Sequence, residues 1–180
     1  MGSMLQRAID EAGFSTIRER VLAGETLGSD ELERLRGADL LVVAGLADLM
    51  RRRFRGDEVR VVGSADLRDP GLAVFDPGAQ GDAQGATGGE LLREIALARL
   101  QLPGRQGLAV SLDELGLQLA QTALVFGADV VFGDLGGKRT LPLADGPDAR
   151  RAELKGLIER GGRSVVFGLA AAAPREDMAS

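Results

Sequence analysis

Apolar residues in the first third of the chain recur at the spacing of an α-helix, three or four positions apart. The clearest stripe is formed by Leu40, Val43, Ala47, Met50 and Phe54. Side chains so placed lie on one face of a helix, which can then pack on a hydrophobic core. The pattern predicts that residues 4–55 are helical. Ser29, followed by Asp30 and Glu31, suits a helix N-terminus, where acidic side chains are stabilised.

Later in the chain, short apolar runs alternate with further helical stripes. The runs predict strands at 58–63, 72–75, 107–110, 130–132 and 163–167. Thr87 with Glu90, and Ser111 with Glu114, are capping-box pairs that predict where two helices begin. Gly127 is expected to end the second of these helices in a left-handed conformation. Strands that alternate with helices are typical of a parallel sheet covered by helices.

We therefore predict an α/β protein with a helical N-terminal part, followed by a small, mainly parallel sheet with flanking helices. A chain of 180 residues is long enough to bury one hydrophobic core. Residues 4–62 are expected to form a helical lead-in and the first strand, and 90–169 an α/β segment. The Gly- and Ala-rich stretch 63–89 is predicted to be a linker region, and 170–180 a flexible tail, all within one compact domain.

Composition excludes several kinds of chemistry. The chain contains no cysteine and no histidine, so it offers neither a thiolate nor an imidazole for catalysis or for binding metal. Its net charge of -5 argues against nucleic acid as a partner. The arginines between 51 and 55 are interpreted as the end of a helix, where cations are favoured. The longest apolar run is interrupted by Asp48 and is too short to span a membrane, and we expect a soluble, cytoplasmic protein.

The loop that follows the predicted strand ending at Phe132 is the candidate ligand site. It contains Asp134, Lys138 and Arg139, and the carboxyl ends of parallel strands are where open sheets bind ligands. The two cations could hold a carboxylate or a phosphate. Turn formation by Asp134 and solvation of the cations are the alternative interpretation. The loop does not match the phosphate-binding pattern of nucleotide-binding proteins, because a required glycine is replaced by Phe132.

The other polar residues in apolar surroundings receive structural interpretations. Asp129 is expected to be a turn residue, and Ser111 a helix cap rather than a nucleophile. Arg99 is expected to form an ion pair or to reach the rim of the core. Arg93 and Glu94 are assigned to the outer face of their helix. No catalytic residue and no metal ligand is assigned.

Two blocks of the chain resemble radical SAM enzymes. Residues 21–62, "VLAGETLGSDELERLRGADLLVVAGLADLMRRRFRGDEVRVV", are similar to the helical lead-in of aminofutalosine synthase, dehypoxanthine futalosine cyclase and the related deazaflavin synthase subunits. Residues 90–135, which contain "REIALARLQLP" and "ALVFGADVVFG", resemble the late barrel strands of these enzymes, and "ELKGLIERGGRSVVF" resembles their closing helix. Together the blocks cover more than half of the chain. The resemblance implies a partial TIM-barrel-like sheet that is not closed.

Between these blocks the family carries a cysteine triplet that binds an iron-sulfur cluster, and this chain has residues 63–89 instead. Without cysteine the chain alone cannot hold such a cluster. The expected function is therefore that of a non-catalytic, radical SAM-like binding or partner subunit without a cofactor, linked to menaquinone biosynthesis. Its expected partner is a second copy of the chain or a full-length radical SAM enzyme. The alternative is a small-molecule or anion-binding module that uses the loop after Phe132.

Overall fold

The computed structural model describes residues 2–63, 67–80, 86–134 and 146–168, and these segments contain seven α-helices, five strands and two short 3-10 helices. The helices are α1 Gly2–Glu11, α2 Ser15–Ala23, α3 Ser29–Arg36, α4 Leu40–Arg55, α5 Gly88–Gln101, α6 Leu112–Ala123 and α7 Pro147–Arg160. The strands are β1 Glu58–Val62, β2 Leu72–Val74, β3 Gly107–Ser111, β4 Val130–Phe132 and β5 Ser164–Phe167. The 3-10 helices are Pro77–Gln80 and Leu124–Phe126.

The strands form one parallel sheet in the order β2-β3-β4-β1-β5. In the described part of the chain, β2 and β5 are its edge strands, and the sheet does not close into a barrel. The structure thus confirms the predicted α/β class, with an open parallel sheet and flanking helices. The first strand of the chain lies inside the sheet, where it pairs with β4 on one side and with β5 on the other.

The stretch predicted to be a linker contributes a strand to this sheet. β2 is the strand expected at 72–75, and it pairs with β3 in the register Leu72 to Gly107. Residues 63–89 are therefore in part a structural element of the sheet. Residues 64–66 and 81–85 of the predicted linker, and the predicted tail 170–180, lie outside the described residues.

The main core lies between the sheet and the helices, all seven of which contribute to it. β1 directs Val59 and Val61 to this side, because side chains alternate along a strand. A smaller apolar cluster lies on the opposite face of the sheet. It consists of the buried residues Val62, Leu72, Ala109 and Val130, with Leu67 and Phe132 packed against it. Both faces of the central strands are therefore apolar, as in other parallel sheets.

Helix α4 is at the centre of the main core. The predicted stripe is confirmed, with Val43, Ala47 and Met50 fully buried. Residues outside the stripe are buried as well, including Leu46 and Arg51. The helix is enclosed on more than one side because α1, α2 and α5 pack against it in addition to the 3-10 helix that follows α6. Its N-terminus is capped by Asp39, whose Oδ1 accepts the N–H of Leu41 at 2.8 Å.

The sequence signals for helix ends are confirmed. At α5, Thr87 Oγ1 accepts the N–H of Glu90, and the Glu90 carboxylate accepts the N–H of Thr87 at 2.7 Å. The hydrogen bonds that Thr87 donates to the Glu90 carboxylate hold the pKa of this carboxyl group below its ordinary value. At α6, Ser111 Oγ accepts the N–H of Glu114 at 3.2 Å. Gly127 adopts the expected left-handed conformation, with φ +99°, but it ends the 3-10 helix that follows α6 rather than α6 itself.

The apolar stripe predicted one continuous helix for α6, and the structure differs from this prediction. Gly116 has φ +74° and ψ 161°, which are not helical values and separate the first turn from the rest of the helix. Glycine can adopt this conformation without the steric cost that a Cβ imposes. The first turn, which carries Asp113, is therefore set apart from the helix body at the carboxyl end of β3.

We predict that Gly127→Ala destabilises the protein more than Gly13→Ala does. Both glycines have positive φ, but a Cβ at Gly13 would meet nothing within 4 Å, whereas one at Gly127 would lie 2.6 Å from Arg99 Cγ. We expect losses of about 1 kcal/mol at position 13 and about 2–4 kcal/mol at position 127, measured by urea unfolding. Equal losses would show that the close approach to Arg99 is unimportant.

Candidate functional site

The predicted site lies at the carboxyl end of β4, where Asp134 is exposed. Its N–H donates a hydrogen bond to Oδ2 of Asp113 at 3.0 Å. Asp113 belongs to the first turn of α6, which follows β3 directly. Two neighbouring parallel strands therefore bring two carboxylates to the same edge of the sheet.

Gly133 allows this approach. A Cβ at this position would lie 3.1 Å from Oδ2 of Asp113 and 3.1 Å from Cβ of Leu112, which is tighter than nine in ten real contacts of this kind. A side chain at residue 133 would therefore push the chain after β4 and the first turn of α6 slightly apart.

The other two predicted site residues, Lys138 and Arg139, lie outside the described residues. The described part of the site is acidic, with Asp113, Glu114 and Asp134 near one another in the fold, and acidic oxygens suit a cation or a hydrogen-bond donor rather than an anion. Within residues 2–63, 67–80, 86–134 and 146–168, no group of three or more acidic side chains is arranged to hold a metal ion. The hydroxyl of Ser111 acts as a helix cap, as predicted, and its side chain is buried.

A second polar cluster, which the sequence interpretation missed, lies at the opposite end of the sheet. Asp129 precedes β4 and is only 1% exposed. Its Oδ2 lies 2.5 Å from Arg55 Nε, and its Oδ1 accepts the N–H of Leu108 at 2.7 Å. The predicted position in a turn is correct, but the carboxylate is a buried charge that links α4 to the start of β3.

Asp48 is the second acidic residue of this cluster. Its Oδ1 accepts hydrogen bonds from Arg51 Nε and Arg163 Nη2, both at 3.0 Å, and its Oδ2 lies 2.7 Å from Arg52 Nε. Arg51 also donates to the carbonyl of Gly56. The arginines at the end of α4 thus follow the predicted helix-end placement, but one of them is completely buried.

One interpretation of the sequence placed Arg99 at the rim of the core. This is wrong, because Arg99 is fully buried. Its guanidinium donates to the carbonyls of Gln106 and Pro103 at 2.6 and 2.8 Å, and Nη1 lies 4.0 Å from Asp129. Burial lowers the pKa of Arg99 to about 10, although Asp129 acts in the opposite direction. The pKa of Arg163 is lowered for the same reason, burial, with a further contribution from Arg51.

Two residues assigned to an outer helix face also have tertiary contacts. Arg93 donates to the carbonyls of Leu35 and Ala38, which lie at and beyond the end of α3. Glu94 accepts a hydrogen bond from Arg36 at 2.5 Å. These side chains join α5 to α3. No periodicity within α5 could have indicated this, because their partners are more than fifty residues away in the chain.

Comparison with known proteins gives no relative for this chain: no family model matches it, nor does any curated protein or solved structure. Among the helices that the structure describes, none combines the length and the apolar character needed to cross a membrane. The fold and the two polar ends of the sheet therefore define the chain as an α/β protein with an open parallel sheet.

We predict that Asp129→Asn destabilises the protein by about 3 kcal/mol, because it leaves Arg55 and Arg99 without a counter-charge in a buried place. The asparagine oxygen can still accept the N–H of Leu108, but its amide then presents a donor to the Arg55 donor. The measurement is urea unfolding at neutral pH.

Asp57→Asn is the matched control for this experiment. The Asp57 side chain is 63% exposed and lies 3.4 Å from Arg51 Nη2. The Asp57 carboxylate is exposed at 3.4 Å, and the buried Arg51 keeps Asp48 as a closer counter-charge at 2.9 Å, so loss of this pair should cost at most about 1 kcal/mol. If both variants lose the same small amount, Asp129 does not have the structural role assigned to it.

Proposed function

We propose that this protein is a non-catalytic relative of the radical SAM enzymes of the futalosine route to menaquinone, and that it acts as a partner subunit. One pairing in the sheet supports this proposal. β1 belongs to the first of the two blocks that resemble those enzymes, and its neighbour β5 belongs to the segment after the second block. In a closed barrel the first strand likewise pairs with the last, whereas the pairing of β1 with β4 departs from barrel order, in which β4 would lie beside β5. The predicted cytoplasmic location stays a prediction.

The observation that carries the proposal is the edge of the sheet at β5, which no other strand covers within the residues that the structure describes. The N–H groups of Ser164 and Gly168 donate to Asp57 and Val61 of the neighbouring chain segment at 3.1 and 2.8 Å. Because hydrogen-bonding groups alternate along a parallel strand, those of Val165 and Phe167 point away from β1. Such an edge can accept a strand from another chain.

Apolar exposure at both edges supports the same function. Phe167 on β5 is 38% exposed and Val74 on β2 is 43% exposed. A protein that stays alone in solution usually protects its edge strands with charged residues or covering segments. Burial of these side chains by a partner would stabilise a complex through the hydrophobic effect.

We predict that the protein binds the full-length aminofutalosine synthase of the same organism, and that Phe167→Glu weakens this binding about tenfold or more, because a charge would have to be buried at the edge. Arg151, whose guanidinium lies 5.9 Å from the Phe167 ring, can pair with the new carboxylate in the free protein. The measurements are anaerobic co-purification and the shift in melting temperature on mixing.

Leu41→Glu is the control for this experiment, since Leu41 is 72% exposed in the first turn of α4, where an acid is tolerated. It should bind like the unchanged protein. A protein that stays monomeric, and that changes neither the activity nor the stability of the enzyme, would contradict the proposal. Stabilisation by S-adenosylmethionine or a futalosine-type metabolite alone would instead favour the small-molecule module at Asp134, Lys138 and Arg139.

We also predict that this chain binds no iron-sulfur cluster when it is incubated anaerobically with iron, sulfide and a thiol reductant. None of its 180 residues is a cysteine, so no protein thiolate is available to ligate iron. Iron and sulfide analysis after desalting, with a visible absorption spectrum, measures the result. A stoichiometric, coloured preparation would contradict the non-catalytic function.

A further inference from the structure

Arginine side chains from three helices, together with Arg163 from the turn before β5, lie near the amino ends of the strands. In a parallel sheet these ends lie at one pole of the molecule, together with the C-termini of the helices that precede them. We call this set the arginine pole, and it consists of Arg51, Arg52, Arg53, Arg55, Arg99, Arg160 and Arg163. The chain as a whole carries a net charge of -5, so the pole differs in sign from the rest of the molecule.

The acidic residues at this pole do not neutralise it. Asp48, Asp57 and Asp129 lie among the seven arginines, which leaves an excess of four positive charges. Asp69, before β2, is accompanied by Arg68, and Arg105 precedes β3, so these residues do not lower the excess. Glu58 is paired with Arg60 at 3.3 Å, and Glu159 with Lys155 at 3.8 Å, so these pairs do not change the sum.

Helix dipoles account for only part of the excess. Four helical segments end at the pole, namely α4, α5, α7 and α6 with its 3-10 extension, and each C-terminus is equivalent to about half a negative charge. Together they offset roughly two charges. About two positive charges therefore remain, and helix capping alone does not explain the cluster.

The buried part of the pole already lacks hydrogen-bond acceptors. Asp48 is shared by three arginines. Nε of Arg99 and Nη1 of Arg163 are buried and have no hydrogen-bond partner within the described structure. The interior therefore cannot supply further acceptors to the arginines at the surface, of which Arg52 has 60% of its side chain exposed.

We infer that the arginine pole binds an acidic segment on the surface of a partner protein. This inference rests on the proposed function as a partner subunit, and it names the face and the chemistry of the contact. Arginine forms strong, directional hydrogen bonds to carboxylates. Arg163 directly precedes Ser164, the first residue of β5, so a partner strand on the open edge would lead directly to the pole.

An acidic polypeptide fits this face better than a nucleic acid does. Nucleic acids depend on many phosphate contacts, and a long polyanion would extend over the acidic remainder of the molecule. A short run of carboxylates can contact the pole alone. The excess of a few charges suits a short acidic segment, whose binding should weaken as salt is added.

The test is the binding of a fluorescent oligoglutamate peptide, measured by anisotropy at low and at physiological salt. The variant is Arg53→Gln with Arg160→Gln, because both side chains are exposed and carry no ion pair on which the described core depends. We expect the unchanged protein to bind at low salt and the double variant to bind about fivefold more weakly.

Two further variants of the protein test whether the effect is specific to the arginine pole. Arg7→Gln with Arg34→Gln changes the charge equally at exposed sites on α1 and α3, and it should bind like the unchanged protein. Arg53→Lys with Arg160→Lys restores the charge and should recover most of the binding. Melting temperatures of all variants report whether any of them is poorly folded.

The inference is overturned if the peptide does not bind at low salt, or if the pole variant and the distant variant weaken binding equally. It is also overturned if a single-stranded DNA of equal charge binds more tightly than the peptide. The enzyme-binding experiment tests the proposed function separately. If the peptide binds at the pole but the enzyme does not bind, the pole is still a site for acidic segments and the proposed partner is wrong. Enzyme binding that the pole variant leaves unchanged removes only the pole.

Discussion

The buried carboxylate of Asp129 is the interaction on which the arrangement of the sheet and its central helices depends. It accepts the backbone N–H of Leu108 at the start of β3, precedes β4 directly, and pairs with Arg55 at the end of α4. Transfer of a guanidinium and a carboxylate from water into a core costs several kcal/mol for each group, so either one alone would be strongly destabilising. Together they fix the end of α4 relative to two strands. Asp48, in the middle of α4, links this helix in the same way to the start of β5 through Arg163.

The two ends of the sheet are therefore chemically different. The amino end holds arginines on helix C-termini, whereas the described carboxyl end presents the acidic residues Asp113 and Asp134. The sheet between them is covered by helices on one face and ends at two short edge strands with exposed apolar side chains. The edges and the two ends of the sheet are separate surfaces, so each can be altered by substitution without changing the others.

Local features of the fold could be predicted from the sequence because they depend on residues close together in the chain. The stripe around Val43 and Met50, the capping box of Thr87 with Glu90, and the left-handed Gly127 all involve neighbours within a few positions. The same holds for strands such as Val130–Phe132, whose apolar runs indicate burial on both faces. The parallel character of the sheet followed from the alternation of elements, whereas its open form was expected only from the resemblance.

Features that depend on distant partners could not be predicted. Asp129 looked like a turn residue because its partner Arg55 is seventy-four positions away, and Arg163 is farther still from Asp48. The one signal within reach was the spacing of Asp48, Arg51 and Arg52, which places an acid and two bases on one side of an otherwise apolar helix. Of the three predicted site residues, the described structure contains Asp134 alone.

The interior position of β1 also has a consequence for how the chain folds. β1 is made early but has sheet partners only in the last third of the sequence, at β4 and β5. Pairings between such distant segments slow folding, since a long loop must be ordered before they form. During synthesis the helical N-terminal part can become compact before β4 and β5, the sheet neighbours of β1, have been made. Until β4 and β5 have been synthesised, β1 is an apolar strand available to chaperones or to other nascent chains.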